Sequence, residues 1–405
     1  MKDLYPQLAA AYQSPQSPIR TPNGYNHPRD RTLAEMRLIS ITPPPAALLA
    51  VFCVCAASSQ ISKRPSPPTG HITAGRDMIS ARAGLTATIL PDFKVLIAGG
   101  KDKKGIVLST TEIYDPTTET FSPGEKMSVP RQGHVAAVLG DSNILIAGGR
   151  TRGGVALTSS EMYDYETGKF VSRGKMHFAR AHATATVLRD GRVLVVGGQN
   201  TNQDLDSAET YNLLDGKWTL TGKMSSARAG HTATLLSDGR VLILGGRSAS
   251  SVLASAEIFD PKTNHFSPAG AMREARCTHS AALLPNGKVL VVGGASDAGA
   301  TKPLASSELY DPDSQSFAPS GDLNEARMKL GDAQLLLDGR VLIAGGGSSA
   351  EIYEPRAAMF RPVVGTFDFL LSSPALIELM DGSVRIFGGA DAEGNSSAKS
   401  WIYRP

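Results

Sequence analysis

Three histidines, His134, His231 and His279, each stand three residues after an arginine, and the arginines form a longer series: Arg82, Arg131, Arg180, Arg228, Arg276 and Arg327. A matching acidic series runs Glu112, Glu161, Glu209, Glu257, Glu308 and Glu351, and one thiol, Cys277, falls beside the fifth arginine. Imidazole, carboxylate and thiolate are the usual ligands of zinc and copper and the usual acids, bases and nucleophiles of hydrolysis. Guanidinium and carboxylate also make strong paired hydrogen bonds with each other. Which chemistry applies depends on whether the elements carrying these groups bring them to one point or spread them apart.

Those elements repeat. Glycine pairs occur at 99–100, 148–149, 197–198, 245–246, 293–294, 345–346 and 388–389, spaced 43 to 52 residues, a period typical of propellers and solenoids. An arginine precedes each of the first five pairs by seventeen residues, and Arg327 precedes the sixth by eighteen. Downstream come phrases such as "EIYDP" and "ELYDP", and seven residues beyond each central aromatic comes another: Tyr114 and Phe121, Tyr163 and Phe170, Tyr211 and Trp218, Phe259 and Phe266, Tyr310 and Phe317, Tyr353 and Phe360. Runs such as "HTATLL" and "RVLILGG" are short strands joined by Asp-Gly or Asn-Gly, a hairpin signal because both residues can take positive φ. "SAEIFDP" and "HFSP" supply two more strands across an Asp-Pro turn. Four strands per unit, each unit with an apolar face it cannot cover alone, predict a propeller blade. The glycine pairs then end strand two where neighbouring blades approach too closely for side chains.

The double glycine, the Tyr-x(6)-Trp/Phe spacing and the Arg-x-x-His start resemble the kelch repeat family over about residues 72 to 405. The resemblance implies an all-β, seven-bladed kelch-type β-propeller with four-stranded antiparallel blades. It implies no function, since this fold hosts enzymes and binding modules alike. The seventh unit stops at Pro405 before a fourth strand can form, so residues 71–75 are expected to supply that strand and close the ring. A six-bladed ring with a stray segment is the alternative.

A ring of blades disperses repeated residues. The one unit without the arginine, with leucine at Leu370 or Leu371, also lacks the glutamate and has Trp401 in its place, so the two series read as structural ion pairs within blades. The histidines lie in separate blades and read as packed, hydrogen-bonded core residues. Galactose oxidase, in the kelch-like group, builds its copper site from tyrosines and histidines with one tyrosine cross-linked to a cysteine. Cys277 is the only cysteine available for that and has no tyrosine beside it, which favours an inert buried thiol. No phosphate cradle, catalytic carboxylate pair, nucleophile elbow or zinc spacing stands out. No catalytic residue, metal or cofactor is assigned.

With strand one running up, the short turns fall on one face and the variable loops between strands two and three on the other. Lys101, Lys103, Lys104, Arg150 and Arg152 lie on adjacent loops there and form a candidate cationic binding rim. The net charge of +3 and pI near 8.6 are too mild for a nucleic-acid partner. The apolar run "PPPAALLAVFCVCAA" is too short to span a bilayer and suits an export signal if translation starts at Met36. The expected organisation is a disordered or untranslated leader over 1–35, a signal peptide over 36–57, a linker over 58–70 and a propeller over 71–405. The expected function is an exported, monomeric binding module for a protein or glycan partner of acidic character. The alternative is a carbohydrate-active enzyme, either a sugar-acid mutarotase or a galactose oxidase-like copper oxidase.

Overall fold

The computed structural model describes residues 69–405; the segments expected to be a leader, an export signal and most of a linker, up to residue 68, lie outside the described residues. Seven four-stranded antiparallel sheets follow one another, with no helix among the described residues. In blade 1 the strands are Thr86–Ile89, Val95–Ala98, Thr111–Asp115 and Thr120–Pro123, hydrogen-bonded in that order. The second strand of every blade is buried on both faces and is built mainly of Val, Leu and Ile, as in "VLIL" over Val241–Leu244, with Arg385 the one charged residue, in blade 7. First strands of successive blades contact one another around the ring and line a central channel. Between blades the core is filled by the aromatic pairs, for example Tyr114 opposite Phe121 with ring centroids 4.9 Å apart.

Blade 7 joins both ends of the chain. Its strands Ala375–Glu378, Val384–Phe387 and Ser400–Arg404 are completed by His71–Ala74, which pairs His71 with Arg404 and Ile72 with Tyr403. Ile72 thereby takes the slot of the second aromatic, and Gly75 N extends the ladder to Ser400 O at 2.9 Å.

The turns between strands one and two differ from the expectation. They are three-residue turns in which only the last residue has positive φ: Gly191 N donates to Leu188 O at 3.0 Å and Leu188 N to Arg192 O at 2.8 Å. Asp190 is free of the left-handed region, and its Oδ1 accepts from Arg192 N at 3.1 Å. The carboxylate thus stabilises a type I turn followed by a bulge, which removes any need for two left-handed residues. Blades 1 and 2 place Phe93 and Ser142 at the glycine position, with φ of 65° and 70°.

A chain beginning at Arg76 loses the strand His71–Ala74 and leaves Ser400–Arg404 as a bare edge with an open ring. We expect a lower melting temperature and concentration-dependent association in light scattering relative to a chain that includes residue 69. Unchanged melting and a monomeric species would show that closure does not depend on this strand.

Candidate binding face at the channel mouth

The two long charged series meet inside the blades. In blade 1, Arg82 Nε donates to Glu112 Oε1 at 3.0 Å, and Nη1 donates to the carbonyls of Gly99 and Thr110, both at 2.8 Å. Glu112 in turn accepts from the backbone N–H groups of Ile79 and Ser80. The closest N···O separations of the other pairs are 2.7 Å for Arg131–Glu161, 2.9 Å for Arg180–Glu209, 2.6 Å for Arg228–Glu257, 3.2 Å for Arg276–Glu308 and 3.1 Å for Arg327–Glu351. All of these side chains are buried. Burial works to raise the Glu161 carboxyl, but hydrogen bonds from Ser128 and Arg131 outweigh it and hold the group below the ordinary carboxylate range. In blade 7, Leu371 is the buried occupant of the arginine slot and Leu370 is exposed. Trp401 fills the glutamate slot, edge-on to Phe367 and Phe369.

The histidines His134, His231 and His279 are buried between blades. Each Nε2 shares a hydrogen bond with a threonine hydroxyl of the preceding blade: Thr86 at 2.9 Å, Thr184 at 2.9 Å and Thr232 at 3.0 Å. Burial, together with the adjacent blade arginine, pushes each of the three down to about 3. Cys277 is buried against Ala295, Ala300, Val252 and Met328, and burial pushes its thiol up. These neighbours include no tyrosine, so Cys277 does not match the cysteine of a tyrosine–cysteine copper centre. Among the described residues, no three His, Cys, Asp or Glu side chains gather as metal ligands would.

The groups left over by this packing lie at the channel mouth, on the face of the loops between strands two and three. The residue two after each blade arginine, or its equivalent, has positive φ in all seven blades: Gly84, Gly133, His182, Gly230, Thr278, Lys329 and Ser373. Several are linked around the mouth by backbone hydrogen bonds, such as Gly133 N to Gly84 O and His182 N to Gly133 O, both 2.8 Å. Four are not glycine, and left-handed residues of this kind cluster where side chains are held for function. The His182 ring lies over Gly133, where an added Cβ would come within 2.7 Å of Cε1.

Next to this ring stand the residues that immediately follow each glycine pair: Lys101, Arg150, Gln199, Arg247, Ala295, Gly347 and Ala390. Arg150 Nη2 donates to Gln199 Oε1 and to Asn200 O, and its buried Nε has no partner. Arg247 reaches only Asp204, at 3.7 Å, and makes no side-chain hydrogen bond. Asp204 Oδ2 accepts from Ala249 N at 2.8 Å, and Ala156 N donates to Thr201 Oγ1 at 3.3 Å, so the loops of blades 2, 3 and 4 interlock. His182 is open to the mouth but ringed by protein. Burial lowers it, Arg150 and Arg247 lower it further, and it is held at about 4. Arg150 is itself lowered by burial and by Arg247.

Of the residues expected to form the rim, Arg150 joins this cluster. Lys101 is half-buried, bridging Ala83 and Val107 through its backbone. Lys103, Lys104 and Arg152 are exposed at loop tips. The tips are ordered by acidic or amide caps: Asp102 Oδ1 accepts from Lys104 N and Ile106 N, both at 2.8 Å. Arg247 and His182 were not anticipated. Arg247 occupies the same register as Lys101 and Arg150, so reading down that column would have found it. His182 is displaced by one residue from the Arg-x-x-His pattern, which left Ala183 as an apparent gap.

A different group lies deeper in the channel. Asp332 lines a cavity of about 280 Å³ together with Leu85, Thr86, Leu330, Ser373 and Pro374. It has no hydrogen-bond or ion-pair partner, and burial raises its carboxyl.

The Attractin/LZTR1 beta-propeller profile matches residues 95–354, from the second strand of blade 1 to the third strand of blade 6. No curated protein matches the sequence. Among solved structures, the chain is similar to a novel fungal alcohol oxidase of the AA5 family, in complex with copper. The TM-score is 0.67 at 15% identity, covering 83% of this chain and 76% of that one, a likeness of fold.

Two outcomes follow from the buried groups. Removing one partner of a blade ion pair, as in Glu161→Gln, should cost about 3–5 kcal/mol in denaturant unfolding, and Arg131→Met with Glu161→Gln together should cost less than the sum of the singles. His134, His231 and His279 have folded-state values depressed below 6.5, so below that pH the unfolded chain binds protons that the folded chain refuses. Stability should therefore fall as pH drops from about 6.5 toward 3, by up to about 1.4 kcal/mol per pH unit for each histidine. His231→Gln should show a shallower acid limb in urea titrations at pH 7, 5 and 4.

Proposed function

We propose that this chain, which belongs to the Attractin/LZTR1 beta-propeller family, is a binding module that holds an acidic protein or glycan on its loop face. The observation that carries this reading is the charge balance of blades 2 to 4. Arg247 has one carboxylate near it, Asp204 at 3.7 Å, Arg150 is bonded only to the neutral Gln199 and Asn200, and the exposed cations Lys103, Lys104 and Arg152 stand on the loops of blades 1 and 2. The repeated arginines, by contrast, are matched one to one by glutamates. A kelch-type propeller suits such a role because a rigid ring presents irregular loops in fixed positions. The same reading takes the chain as a monomer, exported after a start at Met36.

A second reading has one observation behind it. Asp332 is a carboxyl without a partner in a channel cavity, raised above the ordinary carboxylate range by its surroundings, and a raised carboxyl is the kind of group that serves as a general acid. It would place a carbohydrate-active enzyme's chemistry in the channel, and Asp332→Asn would abolish turnover of sugar acids or sugar alcohols while leaving loop-face binding intact.

The binding reading is tested with heparin and poly-L-glutamate as acidic probes, by calorimetry at two salt concentrations. We expect binding that weakens with salt and falls about tenfold in the triple variant Lys103→Gln, Lys104→Gln, Arg152→Gln, at under 1 kcal/mol per exposed charge. Absence of binding to both polymers at low salt, or affinity indifferent to the triple variant, would remove the basis for this function.

A further inference from the structure

We propose that Arg150, Arg247 and His182 form a clamp for a single oxyanion, a carboxylate or a sulfate or phosphate ester, presented by the ligand at the channel mouth. This deepens the binding reading above and rests on it for the identity of the face.

Three features support the clamp. The first is donor capacity. A guanidinium carries five N–H donors in a fixed fork, and Arg247 makes no side-chain hydrogen bond, with one carboxylate oxygen only at 3.7 Å. Arg150 engages Gln199 and Asn200 through Nη2 alone, which leaves Nη1 available to a ligand, while an unpartnered Nε is common to it and the blade arginines Arg131, Arg180, Arg228 and Arg276. Arginine forks match oxyanions bidentately, and partly buried donors without acceptors are costly to maintain in the absence of a ligand.

The second feature is electrostatic. Arg150 and Arg247 come from blades 2 and 4 and act on each other and on His182 of blade 3. The charged groups that face this point are Arg150, Arg247 and Asp204, with Cys277 on the blade 5 side of Arg247. Two fixed cations against one anion leave an excess positive charge, which adds to the effect of burial in holding His182 neutral. An oxyanion between the forks neutralises that excess and makes protonation of His182 easier.

The third is rigidity. Asp204 caps Ala249 N, Thr201 accepts from Ala156 N, and Gly133 seats the His182 ring, so the three loops are already joined before any ligand arrives. Preorganised donors lose little freedom on binding.

The test uses chain labelled at histidine Cε1 and follows the His182 resonance by NMR, assigned by its loss in His182→Gln. Sulfate, inorganic phosphate and glucuronate are titrated separately, with chloride at equal ionic strength as the control. At least one oxyanion should shift the resonance saturably and move its titration midpoint to a pH about one unit higher. The arm that does so distinguishes sulfate, phosphate and carboxylate as the head group. Arg150→Met, which leaves the Asp204–Arg247 contact in place, should weaken that binding at least tenfold, and it should raise the His182 midpoint without any ligand. Arg247→Lys should bind more weakly than the parent while still folding. Shifts no larger than those from chloride, or an affinity unmoved by Arg150→Met, overturn the clamp.

The loop-tip triple variant separates the two readings. If polymer binding depends on the tips while no small oxyanion moves His182, the clamp is wrong and the binding face stands. If an oxyanion moves His182 but neither polymer binds, the clamp stands and the macromolecular partner is wrong.

Discussion

A guanidinium in a dry interior needs its donors accepted and its charge matched, and that requirement organises each of the first six blades. Arg82 alone ties together the carbonyl ending strand two at Gly99, the start of strand three at Thr110, and Glu112 on strand three. Glu112 then anchors the backbone that enters strand one, through Ile79 and Ser80. One ion pair therefore fixes the incoming chain and two of the blade's strands. Desolvating it is expensive, so the geometry tolerates little slack, and the repeat keeps its register from Arg82 to Arg327.

Blade 7 shows what happens when the pair is absent. Leu371 and Trp401 replace both charges at once, and Phe367 and Phe369 pack their edges on the indole. The apolar replacement avoids the lone buried charge that a mixture would leave, at the cost of a Trp401 Nε1 buried without a partner. The same blade also lacks a fourth strand of its own and borrows His71–Ala74. The departures continue along the channel wall. Leu85, Leu330 and Pro374 occupy blades 1, 6 and 7 where blades 2, 4 and 5 carry the bridging histidines, and Asp332 sits among them. The ring is sevenfold in its strands but two-sided in its chemistry, with a basic sector at blades 2 to 4 and, at blades 6, 7 and 1, a cavity without arginine or histidine that holds one carboxyl.

The fold was legible because its determinants repeat. The joint loss of arginine and glutamate at Leu371 and Trp401 pointed to their contact, and the missing last strand pointed back to Ile72. Turn chemistry was less legible: Asp-Gly was read as two left-handed residues, but Asp190 uses its carboxylate to hold a three-residue bulge turn with one. The site was legible only in part, because it is made of what does not repeat. Arg150 could be chosen from its loop, but its partnership with Arg247, nearly a hundred residues away, depends on neighbouring blades bringing two equivalent positions together. The lateral links from Asp204 to Ala249 and from Thr201 to Ala156 join different loops, and no spacing within one loop announces them.

This division between repeated and unrepeated residues explains why function should be sought at Arg150, Arg247 and His182 and not among the more numerous buried charges. The buried arginines are matched in charge by glutamates of their own blades and are sealed from solvent, so no ligand can reach them without unfolding a blade. The mouth residues are held in place by the left-handed backbone at His182 and by interlocked loops, yet Arg247 makes no side-chain hydrogen bond and Arg150 is bonded only to neutral groups. Rigid placement without internal satisfaction is costly for a folded chain to maintain, and an anionic partner arriving from solvent supplies both the missing acceptors and the missing charge.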